Sequence, residues 1–286
     1  MSHVVVLTAD PARGLADEDI FEACQALDGV GTPRRLSSSA AEIPVPSHQM
    51  LDPGTLPVDV NCVAVAGRRK KVLIADMDST MIPVECIDEV ADFAGVREQV
   101  VAITEPAMRG EISFEDSLRA RVALLKGLEE SRLEDVYAER VSLNPGARVL
   151  VRTMAANGAH TALVSGGFTF FTERVARAAG FHENRANVLL VDDARLTGKV
   201  VEPILGRAAK LDALNEITER RGLPPEAVLA AGDGANDLAM IGAAGLGVAF
   251  RAKPIVAAEA DAQVAHGDLT ALLYLQGYSE EEFVHD

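Results

Sequence analysis

Short apolar runs, each followed by a helix-like pattern, recur through most of the chain after residue 71. A continuous aliphatic run of strand length is typical of a strand that is buried on both faces of a parallel sheet. Alternation of such strands with helices predicts an α/β fold built on a doubly wound parallel sheet. We predict its strands at 72–76, 160–164, 186–191, 228–232 and 246–249.

Two segments interrupt this alternation. Residues 84–140 show the apolar spacing of helices and no convincing strand, which predicts a helical cap inserted after the first strand. Residues 188–204 predict a β-hairpin that turns at Thr197 and Gly198. Both segments are expected to stand outside the parallel sheet.

The first 70 residues show a different pattern, which predicts a small N-terminal α/β unit at 1–70 beside a main domain at 71–286. Its predicted elements are a strand at 3–8, a helix at 17–28 and a strand at 58–66, with a Pro- and Ser-rich stretch at 32–57 between them. We find no catalytic constellation in this unit, and we expect a structural or regulatory role.

Composition restricts the partners of the chain. Its 286 residues include 27 Lys and Arg against 43 Asp and Glu, and this acidity argues against nucleic acid or an anionic membrane as a partner. We therefore expect a small-molecule substrate. The basic run 68–71 is expected to be a solvated linker edge. The sequence leaves the oligomeric state open, a homodimer included.

The cysteines and the apolar runs indicate the compartment. Cys24, Cys62 and Cys86 are odd in number and widely spaced, which fits reduced thiols better than a disulfide framework or a zinc site. The sequence shows neither a secretory leader pattern nor an apolar run of membrane-spanning length. We expect a cytoplasmic protein.

The stretch VLIADMDST at 72–80 is the most informative in the chain, because Asp76 and Asp78 stand where an apolar strand ends. Parallel sheets bind ligands beyond the carboxyl ends of their strands. Two carboxylates this close repel each other, which implies a cation, a shared proton or full exposure to solvent. We favour the cation, and an exposed Asp-x-Asp turn is the alternative.

Two further segments place polar groups near predicted helix starts. In HTALVSGGF, Ser165, Gly166 and Gly167 follow the strand and open a predicted helix, where free N–H groups favour phosphate. Lys210 in LGRAAKLDAL stands near the start of another predicted helix. Either feature alone is more often an ordinary connection or a surface residue.

A second acidic cluster closes the strand at 228–232. It contains Gly232, Asp233, Gly234, Asn236 and Asp237. Mg²⁺ prefers carboxylate and carbonyl oxygens plus water, so this cluster predicts a magnesium site. A dinucleotide or P-loop site is disfavoured, because Asp237 replaces the third glycine of a GxGxxG pattern and no GxxxxGK[ST] occurs.

The ordered segments DMDST, VSGGF, Lys210 and GDGANDLAM resemble the haloacid dehalogenase superfamily of phosphotransferases over about residues 71–270. The resemblance implies that Asp76 is the nucleophile that takes the phosphoryl group. It also implies that Asp78 protonates the leaving alkoxide and then activates water. The implied cofactor is Mg²⁺.

The same resemblance assigns the remaining site residues. It gives Mg²⁺ to Asp76, the backbone carbonyl of Asp78 and Asp233, with Asp237 as nearby support. The implied phosphate and substrate contacts are Ser165, Gly166, Gly167, Lys210 and Asn236.

The cap segment resembles that of the phosphoserine phosphatases, which implies L-phosphoserine as substrate and the last step of serine biosynthesis as the reaction. Glu85 then corresponds to the ligand of the substrate ammonium and Arg121 to the ligand of its carboxylate. Met108 and Phe114 correspond to apolar residues that close over the substrate. Arg119 is less suitable than Arg121, because residues two apart lie on different helix faces.

Two alternatives stay open. The same chemistry could act on another small phosphate ester, or pass the phosphoryl group to an acceptor alcohol such as homoserine. From a different class, the chain could be an amino-acid sensor whose core has lost activity. A sensor requires a missing catalytic residue, and the expected ones are all present. The first 70 residues match ACT-type ligand-binding domains poorly.

Overall fold

A computed structural model of the chain describes residues 1–51, 56–108 and 111–285, apart from the side chain of Met108. Within these ranges the strands form a four-stranded sheet, a six-stranded sheet and a two-stranded hairpin. The predicted α/β class is confirmed. None of the helices in the described ranges is both long enough and apolar enough to cross a membrane.

The N-terminal sheet is antiparallel and has the order β2-β3-β1-β4. Its strands are β1 (His3–Ala9), β2 (Arg34–Arg35), β3 (Ala40–Val45) and β4 (Val58–Ala64), and helix α1 (Asp17–Ala26) packs against it. The prediction that 32–57 only connects two elements was wrong, since it contains β2 and β3. Strand β3 was missed because it contains Pro44, which argues against a central strand. The carbonyl of Pro44 accepts from Gly31 N at 2.8 Å, on the side away from β1. The N–H that proline lacks would point to the same side, so the pairing of β3 with β1 loses no hydrogen bond.

The larger sheet is wholly parallel, in the order β12-β11-β10-β5-β6-β7. Its strands are β5 (Val72–Ala75), β6 (His160–Phe168), β7 (Glu183–Asn187), β10 (Val228–Gly232), β11 (Leu246–Phe250) and β12 (Ala262–Val264). Since all strands run the same way, their carboxyl ends meet at one edge. Strand β5, which precedes Asp76, lies between β10 and β6 near the middle of that edge.

The predicted sheet strand at 186–191 was wrong, because it joins the end of β7 to a strand of the hairpin, β8 (Leu189–Asp192). The apolar residues that suggested it, Val188, Leu190 and Val191, are exposed. Strand β7 lies at the edge of the sheet and is only partly buried, so its sequence ENRAN lacks the apolar run of a central strand.

The described residues between 84 and 140 form helices and their connections, as predicted. The helices are α2 (Cys86–Phe93), α3 (Arg97–Met108), α4 (Phe114–Ala123) and α5 (Ser131–Arg140). The helices that follow are α6 (Ala147–Ala156), α7 (Thr169–Ala179), α8 (Arg207–Arg221), α9 (Leu238–Ala243), α10 (Pro254–Ala257) and α11 (Ala271–Leu275). Leu73 and Ala75 of β5 pack with α6, α7 and α11, while Val72 and Ile74 pack with α8 and α9. Both faces are therefore covered, as a doubly wound sheet requires.

The predicted hairpin is confirmed, but its predicted turn was wrong. Strand β8 pairs with β9 (Arg195–Val200), and the chain turns at Asp193 and Ala194, whose φ angles are 48° and 54°. Thr197 and Gly198 lie inside β9. The hairpin also pairs with the link between α4 and α5, since Leu196 exchanges backbone hydrogen bonds of 2.8 Å with Gly127 and Leu128.

The basic run at 68–71 is not simply a solvated edge. Arg68 is largely buried, and its guanidinium donates to Glu42 Oε2 at 2.6 Å, Leu275 O at 2.7 Å and Tyr274 O at 2.9 Å. Arg68 thus joins β3 of the antiparallel sheet to helix α11, which packs on the larger sheet. The division of the chain near residue 70 stays a prediction.

Candidate active site

A buried lysine joins two carboxylates at the carboxyl edge of the parallel sheet. Asp76 follows β5 directly, and Lys210 lies in the first turn of α8. Lys210 Nζ lies 2.7 Å from Asp76 Oδ1 and 2.5 Å from Asp237 Oδ1, and all three side chains are buried. Burial lowers the pKa of Lys210, but Asp237 and Asp76 outweigh it and hold that pKa above its ordinary value.

The charge balance also affects Asp76. Its pKa is raised by burial and by the charge of Asp237, and Lys210 opposes both effects. One ammonium cannot balance every acid at this edge, because Asp233 and Asp78 lie close by. The edge therefore carries a surplus of negative charge that a cation would relieve.

Asp237 also binds the backbone of the loop after β10, in addition to contacting Lys210. Its Oδ2 accepts from Gly234 N at 3.0 Å and Asp233 N at 3.2 Å, which fixes the loop after β10. Gly232 leaves room for this carboxylate, since a Cβ there would lie 2.4 Å from Asp237 Cγ. Asn236, half-buried in the same loop, lies beside Gly234.

The oxygens of Asp76, Asp233 and Asp237 form a set that fits a divalent cation. One carboxylate oxygen from each lies within 4.8 Å of the others. Asp233 Oδ1 accepts from Thr80 Oγ1 at 3.1 Å, and burial, Asp237 and Glu85 raise the pKa of Asp233 to about 6. Carboxylate oxygens are the ligands that Mg²⁺ prefers. Because both oxygens of Asp237 already contact protein groups, Asp237 is less well placed as a ligand than Asp233.

Asp78 has the surroundings of a group that exchanges protons near neutral pH. Its Oδ1 accepts from Cys86 N at 3.0 Å and its Oδ2 from Ser165 Oγ at 3.3 Å. Burial and the charge of Glu85 raise the pKa of Asp78 to about 7, while the donors at Cys86 and Ser165 act in the opposite direction. Asp78 can therefore hold a proton or release it under ordinary conditions.

The Ser-Gly-Gly segment lies at this edge, but it does not open a helix as predicted. Ser165, Gly166 and Gly167 extend β6 to Phe168, and α7 begins at Thr169. The pairing with β7 shifts register between Val164 and Phe168, and Gly167 N donates to Ser165 Oγ at 2.8 Å. A Cβ at Gly167 would lie 2.9 Å from Asp78 Oδ2, so glycine permits this close approach.

Three of the predicted cap residues face the same edge. The ring of Phe114 lies against Gly166, where a Cβ would be 2.9 Å from Phe114 Cζ. Glu85 Oε1 accepts from Ser79 Oγ at 2.8 Å. Burial lowers the pKa of Arg121, while Asp88, Glu85 and Asp78 raise it, so the guanidinium lies within electrostatic reach of these acids.

The other two residues considered in the cap differ from these. Met108 ends α3, and its predicted contact with substrate falls outside the described side chains. Arg119 is exposed and binds Glu202 at 3.0 Å and Asp116 at 3.1 Å, away from the acidic edge, as its helix face predicts.

The sequence pattern missed three residues that hold the site together. Thr80 contacts Asp233, and Asn144 Nδ2 donates to Thr80 O at 2.7 Å. Asn187 Nδ2 donates to Gly166 O at 2.9 Å. The position of Thr80 in DMDST was a usable signal. Asn144 and Asn187 donate to backbone carbonyls. Since every residue has a backbone carbonyl, the sequence does not show which one an asparagine binds.

A separate cleft of about 730 Å³ lies between α5, α7 and the hairpin. Residues such as Glu134, Phe170 and Arg174 line it, and the acidic cluster lies elsewhere. This cleft is therefore separate from the candidate active site at the sheet edge.

A carboxylate pair, a buried lysine and a second acidic loop at one edge of a parallel sheet are the parts of a metal-assisted phosphoryl-transfer site. The chain matches the haloacid dehalogenase-like hydrolase family over residues 73–242, more than half of its length. The chain belongs to this family, as the resemblance of its motifs predicted.

Individual relatives are similar over much of the chain. A phosphoserine phosphatase from a Polaromonas species is 48% identical over 210 residues, which cover 72% of this chain and 89% of that protein. The structure of a phospho-aspartyl intermediate analogue of phosphoserine phosphatase has a TM-score of 0.67 and 40% identity, and covers 72% of this chain and 98% of that one. A haloacid dehalogenase family hydrolase from Salmonella enterica serovar Typhi has a TM-score of 0.84 and 28% identity over 96% of this chain and 98% of its own.

Proposed function

We propose that the chain is an Mg²⁺-dependent phosphatase that hydrolyses L-phosphoserine to L-serine and phosphate. The observation that carries this proposal is the pairing of Asp76 with Lys210 at 2.7 Å, two residues from an acid whose pKa is about 7. The 48% identity to a phosphoserine phosphatase supports the choice of substrate. The reaction would be the last step of serine biosynthesis.

The first half of the reaction forms a phosphoenzyme. Asp76 Oδ1 accepts from Met77 N and contacts Lys210, each at 2.7 Å, and in the described part of the chain Oδ2 has no comparable partner. Oδ2 attacks the phosphorus, and the bond between phosphorus and the serine oxygen breaks. Asp78 gives its proton to the departing oxygen, which leaves as the serine hydroxyl.

The second half of the reaction restores the enzyme. Asp78, now a carboxylate, takes a proton from water as the water oxygen attacks the phosphorus. The bond to Asp76 breaks and phosphate leaves. Bound Mg²⁺, held by Asp76, Asp233 and the backbone carbonyl of Asp78, would neutralise charge on the phosphoryl oxygens. Lys210 supplies a second positive charge, and the Ser165 hydroxyl and the Gly166 amide are the proposed donors to the phosphate.

The cap segment supplies recognition of the amino acid in this proposal. Arg121 grips the substrate carboxylate with two hydrogen bonds, and Glu85 balances the ammonium. Phe114, already against Gly166, excludes water together with Met108. The free thiols of the three cysteines agree with a reducing compartment, and the cytoplasmic location and a homodimer stay predictions.

A comparison of substrates tests this proposal. Phosphate release is measured from L-phosphoserine, phosphothreonine and an aryl phosphate, with and without Mg²⁺. We expect L-phosphoserine to be preferred and activity to require Mg²⁺. A preference for another ester, or transfer of phosphate to homoserine, would replace the proposed substrate. Serine binding without turnover of any ester would favour the sensor.

The cap assignment has a matched pair of variants on one helix. Arg121→Ala should lower kcat/KM for L-phosphoserine by about 10- to 100-fold, since a charged hydrogen-bonded pair is worth about 1.5–3 kcal/mol. Its turnover of the aryl phosphate should change much less. Arg119→Ala, which removes an exposed arginine, should leave both substrates within about twofold. Equal losses on both substrates in Arg121→Ala would contradict the assignment.

A further inference from the structure

The loop between α5 and α6 contains a buried amide that contacts the nucleophile turn. Asn144 is 5% exposed, its Nδ2 donates to Thr80 O at 2.7 Å, and its backbone N donates to Met81 O at 2.8 Å. These two carbonyls end the turn Met77–Met81 that follows Asp76. A single residue therefore binds two successive carbonyls of that turn.

The turn needs such external support, because its own backbone is irregular. Asp78 has a ψ of 135° and Ser79 a φ of 58°, so neither continues a helix. A non-glycine residue at positive φ persists only when the surrounding structure holds it there. The contacts from Asn144 fix the end of the turn just after this strained residue.

Thr80 extends the contact to the second acidic loop. Its side chain is fully buried, and its hydroxyl donates to Asp233 Oδ1 at 3.1 Å. Asn144 holds the carbonyl of Thr80, and the hydroxyl of Thr80 holds Asp233. The chain of contacts thus joins the turn that carries Asp76 to a carboxylate on a different strand end.

The loop that carries Asn144 is itself fixed. Leu269 N donates to Pro145 O at 3.1 Å. Gly146 has a φ of 78°, and a Cβ there would lie 2.6 Å from Thr270 N. The loop is packed this closely on the segment before α11, so Asn144 projects from a rigid support.

From this geometry we infer that Asn144 is a positioning residue for the reaction. It sets the distance between Asp76 and Asp233 by holding Thr80, although it contacts neither carboxylate itself. The inference rests on the proposed function. Misplacing reacting groups by about an ångström can cost about 100-fold in rate, so a residue outside the site can control turnover in this way.

The test compares the same substitution at two buried asparagines. Asn144→Asp keeps the size of the side chain but cannot donate to Thr80 O. Asn61→Asp is the control, because Asn61 is similarly buried and donates to Gln263 O at 2.8 Å, between strands β4 and β12, which carry none of the proposed site residues. Each variant loses one buried amide donor and gains a charge. The two variants should therefore lose similar amounts of folding stability, and a difference in kcat between them reports on the site.

We expect Asn144→Asp to lower kcat for L-phosphoserine by at least about tenfold, with KM within about twofold, because placement and not ground-state binding is lost. Asn61→Asp should keep kcat within about twofold. Thr80→Val, which removes the hydroxyl, should lower kcat similarly, and the double variant should be little slower than either single one. Equal losses in Asn144→Asp and Asn61→Asp, or fully additive losses in the double variant, would overturn the inference.

A second readout does not require turnover. Binding of Mn²⁺ is followed by electron paramagnetic resonance, and its Kd should rise several-fold in Asn144→Asp and Thr80→Val but not in Asn61→Asp. If Asn144→Asp does not fold, Asn144→Ala and Thr80→Val are read in the same way. Unchanged Mn²⁺ affinity and kcat in folded variants would contradict the role of Asn144. If the wild type fails to hydrolyse L-phosphoserine, the proposed function fails, while the Mn²⁺ comparison still decides the role of Asn144.

Discussion

Lys210 is a buried charge that the fold pairs with two carboxylates. Taking a charge out of water is costly unless it is paired, and Lys210 has carboxylates at 2.7 and 2.5 Å. Its contact with Asp237 secures the loop after β10, and its contact with Asp76 places a positive charge beside the proposed nucleophile. The sequence placed Lys210 near a helix start, but only the fold brings it beside residues 134 and 27 positions away.

His160 makes the stability of the fold depend on pH. Arg221 Nη2 lies 2.7 Å from His160 Nδ1, and burial together with the charge of Arg221 lowers the pKa of His160 below its ordinary 6.5. Glu183 opposes this shift and the stacked ring of His182 adds to it. Because the folded-state pKa is lowered, the neutral form stabilises the fold above the unfolded-state pKa. This stability is lost as pH falls through the folded-state pKa.

We therefore expect the wild type to lose more stability than His160→Gln between pH of about 7 and about 5. Urea denaturation at each pH measures the midpoint for both proteins. His160→Gln keeps a polar group at the site without the titration. A wild type that becomes relatively more stable than the variant as the pH falls would contradict the assigned direction.

At the scale of elements, the end of β6 illustrates a requirement for glycine. The irregular strand end brings Gly167 next to the carboxylate of Asp78, and an added Cβ would lie 2.9 Å from Asp78 Oδ2. A contact that short forces either the carboxylate or the strand end to move. Gly242 in α9 is a matched control, because a Cβ there meets nothing within 4 Å.

Gly167→Ala should therefore lower kcat by at least about tenfold, since displacement of a catalytic group by a fraction of an ångström is costly. Gly242→Ala should keep full activity and gain slightly in stability, as alanine favours helices. Phosphate release and thermal unfolding of both variants provide the measurement. Full activity in Gly167→Ala would show that Asp78 tolerates movement and would weaken its assigned role.

Elements differed in how well the sequence predicted them. The central strands β5 and β10 were found because strands buried on both faces are apolar throughout. Strands β3, β7 and β12 were missed or misplaced, because a proline, an edge position or a length of three residues removes that pattern. The motifs placed Asp76 and Asp233 directly after central strands, where the structure has them, and their roles stay predictions. Asn144, by contrast, acts through backbone carbonyls from a loop without a motif.

At the scale of the whole molecule, one buried carboxylate fastens the antiparallel sheet to the rest of the chain. Asp59 of β4 accepts from Ala265 N at 2.7 Å, His266 N at 3.0 Å and Gly267 N at 2.8 Å. These amides precede the segment 268–270 that packs on the loop of Asn144. Asp59 therefore fastens the antiparallel sheet to the segment that follows β12 of the larger sheet.

Asp59→Ala should lower the free energy of unfolding by at least about 1 kcal/mol, because the amide of buried Gly267, left without an acceptor, costs about 1–3 kcal/mol. Asp28→Ala removes an exposed carboxylate in the same unit and should change stability by less than about 0.5 kcal/mol. Guanidinium denaturation compares the two. Equal midpoints for Asp59→Ala and the wild type would mean that this contact does not stabilise the fold.

In the proposed mechanism Asp76 carries the phosphoryl group during hydrolysis of L-phosphoserine. Its most direct test is rapid acid quenching of the enzyme with [³²P]phosphoserine, followed by a count of label bound to the chain. We expect alkali-labile label on the wild type within the first turnover, and neither label nor phosphate release in Asp76→Asn, because an amide is a far weaker nucleophile. Near-normal phosphate release by Asp76→Asn, or turnover by the wild type without any bound label, would contradict it.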